Sequence, residues 1–215
     1  MPYSMSSFMW AVGINQTSSI LFATPREAGG YGFGPLALGY SYWGPVIGVA
    51  VGEIFGHFFN DFIAFRYISK HEGTFIPEAR LPPLYLAGSF MTAGLVLVGQ
   101  ALQNHLTWVA IVFGWGIFVV GTMVSTALIA TYAMDSYPNA AGEVNAFVNL
   151  ARLLGGFCVG YFQLQWGLGD GFDVSFGVQA AVAAGGTLLV IPALQIWGKK
   201  LRHKGGPVKD SAYHH

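Results

Sequence analysis

Charge is what this sequence has least of. Asp, Glu, Lys and Arg make up 9% of its 215 residues, against roughly 25% in a soluble domain. A chain so poor in charge cannot cover a water-facing surface, nor can it build the basic patches that nucleic-acid binding needs. One cysteine, Cys158, excludes an intramolecular disulfide and a cysteine-rich metal cluster. Nucleophile elbows, P-loops and HExxH zinc motifs are also missing. The glycine-rich run at 30–34 has no phosphate-binding lysine and follows no strand-like segment. Neither an enzyme nor an ATP-driven pump is expected, and no cofactor, metal or nucleic-acid partner. What the chain does hold is 53% hydrophobic residues and 30 glycines. That composition predicts an integral, multi-pass membrane protein in contact with lipid.

Crossing a bilayer takes roughly 20 apolar residues at about 1.5 Å each. Six segments qualify: 5–23, 36–59, 84–103, 107–131, 144–166 and 176–197. Barrel strands would be about 10 residues long and alternate in polarity; these runs do neither. The expected fold is therefore all-α, a six-span membrane bundle over residues 1–198, followed by a basic tail at 199–215. The first span lacks a basic leader and carries Asn15-Gln16-Thr17-Ser18-Ser19, so it does not read as a signal peptide. Of 20 charged residues, only Glu53 and Arg152 fall inside spans. Eight Lys and Arg lie on the side of the two termini and only Arg26 on the other. The excess of positive charge places both termini in the cytoplasm. The longest loop, 61–83, is then cytoplasmic, and the turn at 167–173 is outside.

Small and polar residues give the spans faces. Gly44, Gly48, Gly52 and Gly56 form a ridge on the second span, which suits close helix packing within the bundle or a surface on which a helix slides. Glu53 lies beside the ridge. A carboxylate in a span must be paired, protonated or facing water, which makes Glu53 the candidate proton-coupling residue; packing is the competing role. Glu53 and Arg152 both lie roughly 10 Å inward from the cytoplasmic ends, at about 1.5 Å per residue. An ion pair between them is sterically possible. On the fifth span Asn145, Asn149, Arg152, Gly156 and Gln163 recur in helical steps as one polar stripe, with Gly160 at its edge. Such a stripe turns toward the bundle or a wet cavity. Asn15 and Gln16 on the first span and Trp115 on the fourth could add hydrogen bonds and stacking for a solute. His57 and Asp61 have the i, i+4 spacing of metal ligands, but no third ligand is near.

Three stretches carry a resemblance: GPVIGVAVGEIFGHFFNDFIAFR at 44–66, HEGTFIPEARL at 71–81, and TYAMDSYPNAAGEVNAFVNLARLLGGF at 131–157. Together they resemble the carboxyl-terminal half of a fungal major facilitator superfamily transporter, of the general-substrate and multidrug-antiporter-like type. The resemblance covers roughly residues 8–197. It implies two six-helix bundles, each a pair of three-helix repeats, with solute bound between bundles near the midplane. On that template the first and fourth spans line the cavity, the second and fifth face the other bundle, and the third and sixth stand outside. The loop motif of the family, Gly-x3-Asp with a basic residue and glycine, is degenerate here: Gly56 is followed by Asn60 and Asp61, with Phe62 at the basic position. Asp61 would be a loop hinge. The implied activity is proton-driven movement of a small organic solute, with the plasma membrane as the expected location. The amino-terminal six-helix half is missing from the sequence, so a truncated half, or one that joins another half-bundle, is expected. The alternative is a non-transporting remnant or regulatory half-bundle.

Overall fold

In the computed structural model the described residues are 2–28, 30–70, 80–136 and 140–205. They form seven α-helices and one 3-10 turn, Arg26–Ala28, with no strand among them. The helices are α1 (Pro2–Ala23), α2 (Pro35–Ser41), α3 (Trp43–Lys70), α4 (Pro83–Gln103), α5 (Trp108–Ser136), α6 (Ala141–Asp170) and α7 (Phe172–Gly205). Each expected span coincides with one long helix, the second with α2 and α3 together. Five segments are long and apolar enough to cross a membrane, beginning with Pro35–Ser69. α1 is not among them, because Asn15 to Ser19 lowers its apolarity.

Four boundaries differ from the sequence reading, each for a local reason. The second span breaks at Tyr42. Pro45 has no N–H for the carbonyl of Ser41 four residues back, and its ring crowds that carbonyl. Pro45 instead occupies the first turn of α3, where N–H groups lack intrahelical partners anyway. At its far end α3 runs on to Lys70, so Asp61 lies inside a helix and the expected loop at 61–83 is helical for its first ten residues. A helix need not stop where the hydrocarbon stops. The turn expected at 167–173 is helical except at Gly171, whose φ of 98° is readily adopted only by glycine. There the Phe172 N–H donates to Gln103 Oε1 at 2.9 Å. Likewise α7 continues to Gly205, into the expected tail. The core of the HEGTFIPEARL stretch, 71–79, and the turn residues 137–139 lie outside the described residues.

The packing interleaves two sets of three helices. α1, α3 and α4 make one set; α5, α6 and α7 make the other. In each set the second helix packs along the first helix of the other set: α3 on α5, and α6 on α1. The two third helices, α4 and α7, pack on each other, and α4 also lies along α5. Trp10, Ile14, Phe22, Met91, Leu95, Trp115, Phe118 and Phe176 fill the main core. A second cluster, Leu81, Leu84, Ala87, Val124, Leu128 and Ile191, joins α4, α5 and α7.

Lipid tails are as apolar as leucine, so membrane helices associate by close contact rather than by hydrophobic exclusion. Glycine supplies that contact. A Cβ at Gly94 would fall 2.6 Å from the backbone nitrogen of Phe118, and one at Gly121 2.6 Å from the carbonyl oxygen of Ala87. The outer faces stay greasy: Phe58 and Phe65 on α3, and Leu153 and Phe157 on α6, are each more than 60% exposed. Apolar faces of this extent require lipid or another protein against them. At the α1–α2 connection Tyr31 donates to the Leu106 carbonyl at 3.1 Å. Burial raises the pKa of its phenol, which keeps it a donor.

Candidate solute site

Along the α1–α6 seam the polar stripe of α6 changes from exposed to enclosed. Asn149 is exposed, Asn145 and Arg152 are half-buried, and Gly156 and Gln163 are buried. Steps of 3, 4 and 7 keep these residues on one face, and that face meets α1. The Arg152 guanidinium carbon lies 4.2 Å from the centroid of the Phe8 ring, within the range of cation–π attraction. One Arg152 N–H donates to Asn149 Oδ1 at 3.4 Å. Further along, a cavity of about 490 Å³ opens between the helices, bounded by Phe8, Val12 and Gln16 of α1 and by Gly156, Phe157 and Tyr161 of α6. Gly156 and Gly160 make the room: a Cβ at the first would fall 2.8 Å from Val12 Cγ2, and at the second 3.2 Å from Gln16 Nε2.

Asn15 serves a different place from Gln16, because successive helical side chains diverge by about 100°. Asn15 Oδ1 accepts a hydrogen bond from the Tyr42 hydroxyl at 3.0 Å. The Ser19 and Tyr42 hydroxyls are 2.6 Å apart. The Tyr42 ring meets Trp115 edge to face, with centroids 5.4 Å apart. Trp115 is 4% exposed and belongs to the core. It backs Tyr42 and is not among the residues that bound the α1–α6 cavity. Tyr42 was not singled out by the sequence; the signal for it was Gly44-Pro45, which marks a helix break.

Glu53 and Arg152 do not meet. Glu53 is exposed on α3, which packs on α5, whereas Arg152 lies on α6 against α1. Equal depth in a membrane says nothing about which helices are neighbours. The glycine ridge faces α5 within the bundle: Gly44 meets Val112, Gly48 meets Gly116, Gly52 meets Met123 and Gly56 meets Ala127. It therefore does not face another bundle, as the template had it. Asp61 lies within α3 and not in a loop; it is half-buried, with His57 Nε2 3.7 Å from its carboxylate.

Two polar clusters went unseen as clusters. At the buried end of the α6 stripe, Gln179 donates to Gln163 Oε1 at 2.7 Å, and Gln163 donates to Ser175 Oγ at 3.4 Å. All three side chains are fully buried, and their amides tie α6 to α7. The second cluster joins the two most family-like stretches: Arg80 Nε and Asp135 Oδ2 lie 3.2 Å apart, with side chains 15% and 31% exposed. The contact links the start of α4 to the end of α5. Arg80 belongs to the Pro-Glu-Ala-Arg-Leu run and Asp135 to the Asp-Ser-Tyr-Pro turn.

Chemically, the seam offers aromatic faces, an amide and one guanidinium, and no nucleophile: the equipment for holding an amphipathic molecule. The known proteins similar to this chain are transporters by name. A probable efflux pump, mfs2, of Aspergillus flavus is 31% identical over 65% of this chain and 33% of the pump. The efflux pump radE of Floropilus chiversii is 28% identical over 92% of this chain and 36% of the pump. An uncharacterized transporter of Schizosaccharomyces pombe is 28% identical over 78% of this chain and 34% of its own length. No protein-family profile matches the chain, and no solved structure matches it. The chain spans about a third of the length of these curated relatives. It is similar to proteins named as fungal transporters and efflux pumps, the group that the quoted stretches resemble.

Proposed function

We propose that this chain is the carboxyl-terminal six-helix part of a secondary carrier that moves a small organic solute across a membrane. The observation that carries the reading is its similarity to several fungal transporters and efflux pumps. The interleaved packing of two three-helix sets supports it, because the six-helix halves of such carriers are built from paired three-helix repeats. The solute would bind at the α1–α6 seam, through Gln16, Asn145, Asn149 and Arg152, with Asn15 and Trp115 acting through Tyr42. An amino-terminal six-helix half, or another half-bundle, would cover the exposed side of α3 and α6. Solute would act by favouring one arrangement of the two bundles over the other.

Glu53 is the proposed proton-coupling group. It is exposed, as are Ile54 and Phe55 that follow it. Acyl chains do not tolerate a bare carboxylate, so this part of α3 needs water or a polar partner, and a proton can reach it there. The test is solute flux in proteoliposomes holding this chain together with an amino-terminal half. Glu53→Gln is expected to flatten the pH dependence of flux while leaving folded yield unchanged. A pH profile unaltered by the substitution removes Glu53 from the mechanism, and flux equal to that of empty liposomes removes the carrier reading. Cytoplasmic termini and the plasma membrane are part of the same proposal, supported by the distribution of Lys and Arg; accessibility labelling of each terminus would reverse it if both label from outside.

A further inference from the structure

We infer that the α1–α6 cavity is a subsite for an organic anion with a flat aromatic body. The inference rests on the carrier reading for its purpose but not for its chemistry. Arg152 is the charge. It is half-buried on a membrane-spanning helix, and among the described residues no carboxylate lies within ion-pair distance of it. A guanidinium has five N–H donors in a planar fork that suits a carboxylate. One face of this guanidinium rests on Phe8, and one donor is accepted by Asn149. Neither neighbour is negative. Among the described residues, this half-buried cation in a membrane segment has an aromatic face and an amide as its partners and no anion to balance it.

The adjoining space sets the shape of that anion. Arg152 adjoins the cavity rather than lining it: the two share Phe8, on which the guanidinium rests, and the lining includes no acidic residue. At about 490 Å³ it falls in the size range of small-molecule sites, roughly 300–1,000 Å³. Phe157 and Tyr161, both largely exposed, meet edge to face with centroids 5.0 Å apart on the α6 side, and Phe8 and Val12 line the α1 side, so apolar side chains flank an open groove. Gln16 supplies an amide at the floor, where Gly160 leaves it room. A planar acid laid along the seam would place its carboxylate toward Arg152 and its ring between the aromatic side chains. Aromatic contacts of this kind add to area burial.

The test is equilibrium binding of 2-naphthoate to the full chain in phosphatidylcholine nanodiscs, with 2-naphthamide as the neutral match in shape and octanoate as an anion without a ring. Naphthoate is expected to bind roughly 10- to 100-fold more tightly than naphthamide, the range a charge-assisted hydrogen bond supplies, and more tightly than octanoate, which lacks the ring contacts. Arg152→Gln should remove the preference over naphthamide and leave naphthamide binding unchanged, which also shows that the variant is folded. Arg152→Lys should retain part of the preference, because charge remains while the planar fork is lost. Equal binding of naphthoate and naphthamide, no binding of either, or a preference that survives Arg152→Gln overturns the inference. Nanodiscs with phosphatidylglycerol separate two sources of anion. Naphthoate binding that persists there supports a solute site, whereas its loss assigns Arg152 to a lipid headgroup and overturns the inference. Binding is read without transport. A chain that binds naphthoate through Arg152 but carries nothing keeps this site and loses the carrier reading; flux indifferent to solute charge does the reverse.

Discussion

Gly52→Leu is expected to lower the folded yield of the bundle and its unfolding midpoint. A Cβ at Gly52 would fall 2.7 Å from Met123 Cβ and 3.1 Å from the Val120 carbonyl oxygen. The remaining carbons of a leucine then have nowhere to go unless α3 and α5 separate. Overpacking costs typically about 1–3 kcal/mol and sometimes more, and a domain has only about 5–15 kcal/mol to lose. Gly48→Ala adds only one carbon and so should cost less than Gly52→Leu, but it should still destabilise, because the obstacle is the Gly116 carbonyl oxygen at 2.7 Å, which is backbone and cannot rotate away. Gly185→Ala is the control. Nothing lies within 4 Å of its Cβ position, and replacing a helical glycine by alanine stabilises by up to about 1 kcal/mol. The measurements are the monodisperse fraction in mild detergent and the unfolding midpoint. A Gly52→Leu protein that melts like the parent chain would mean that the ridge faces lipid and that α3 does not pack on α5.

The second large effect is expected at Arg80 and Asp135. Removing one member of a fully buried ion pair costs about 3–5 kcal/mol, because the other charge is left without compensation. With side chains 15% and 31% exposed, water shares this pair, so Asp135→Asn should cost on the order of 1–3 kcal/mol. Asp135→Arg should cost more, since it sets two cations side by side. The exchanged pair, Arg80→Asp with Asp135→Arg, should recover at least half of that loss. A double-mutant cycle on the unfolding midpoint isolates the interaction. Strictly additive effects would show that the two charges are close without being coupled. The contact ties the start of α4 to the end of α5; under the proposed carrier reading, loss of solute flux with little loss of stability would point to a role in the rocking motion.

The sequence was most legible where one side chain is enough to decide. Span after span of apolar residues predicts helices, and the structure has a helix at each. The polar stripe on α6 was also legible, since Asn149, Arg152, Gly156 and Gln163 recur at helical spacing and do share a seam. What periodicity leaves open is the identity of the facing helix. The ridge of Gly44, Gly48, Gly52 and Gly56 announces close contact, yet nothing in its spacing says that α5 receives it. Arg152 and Glu53 looked like partners because both carry charge at similar depth, but they belong to helices that pack on different neighbours. The break at Tyr42 had a visible cause in Pro45. Its consequence, a tyrosine hydroxyl delivered to Asn15 and Ser19, depends on where α1 lies.

Composition and residue order settle that this chain is a set of apolar helices, six of them long, with few charges and much glycine. Each of those properties is local: hydrogen bonds run within a helix, and burying apolar side chains away from water does not depend on which neighbour does the burying. Packing in three dimensions settles the rest. Arg152 came to rest on Phe8, Gln163 on Gln179, Tyr42 beside Asn15 and Arg80 beside Asp135, because each of these contacts joins residues far apart along the chain. Steric fit between whole helix faces selects such contacts, and fit is a property of pairs of helices that no single stretch of sequence contains.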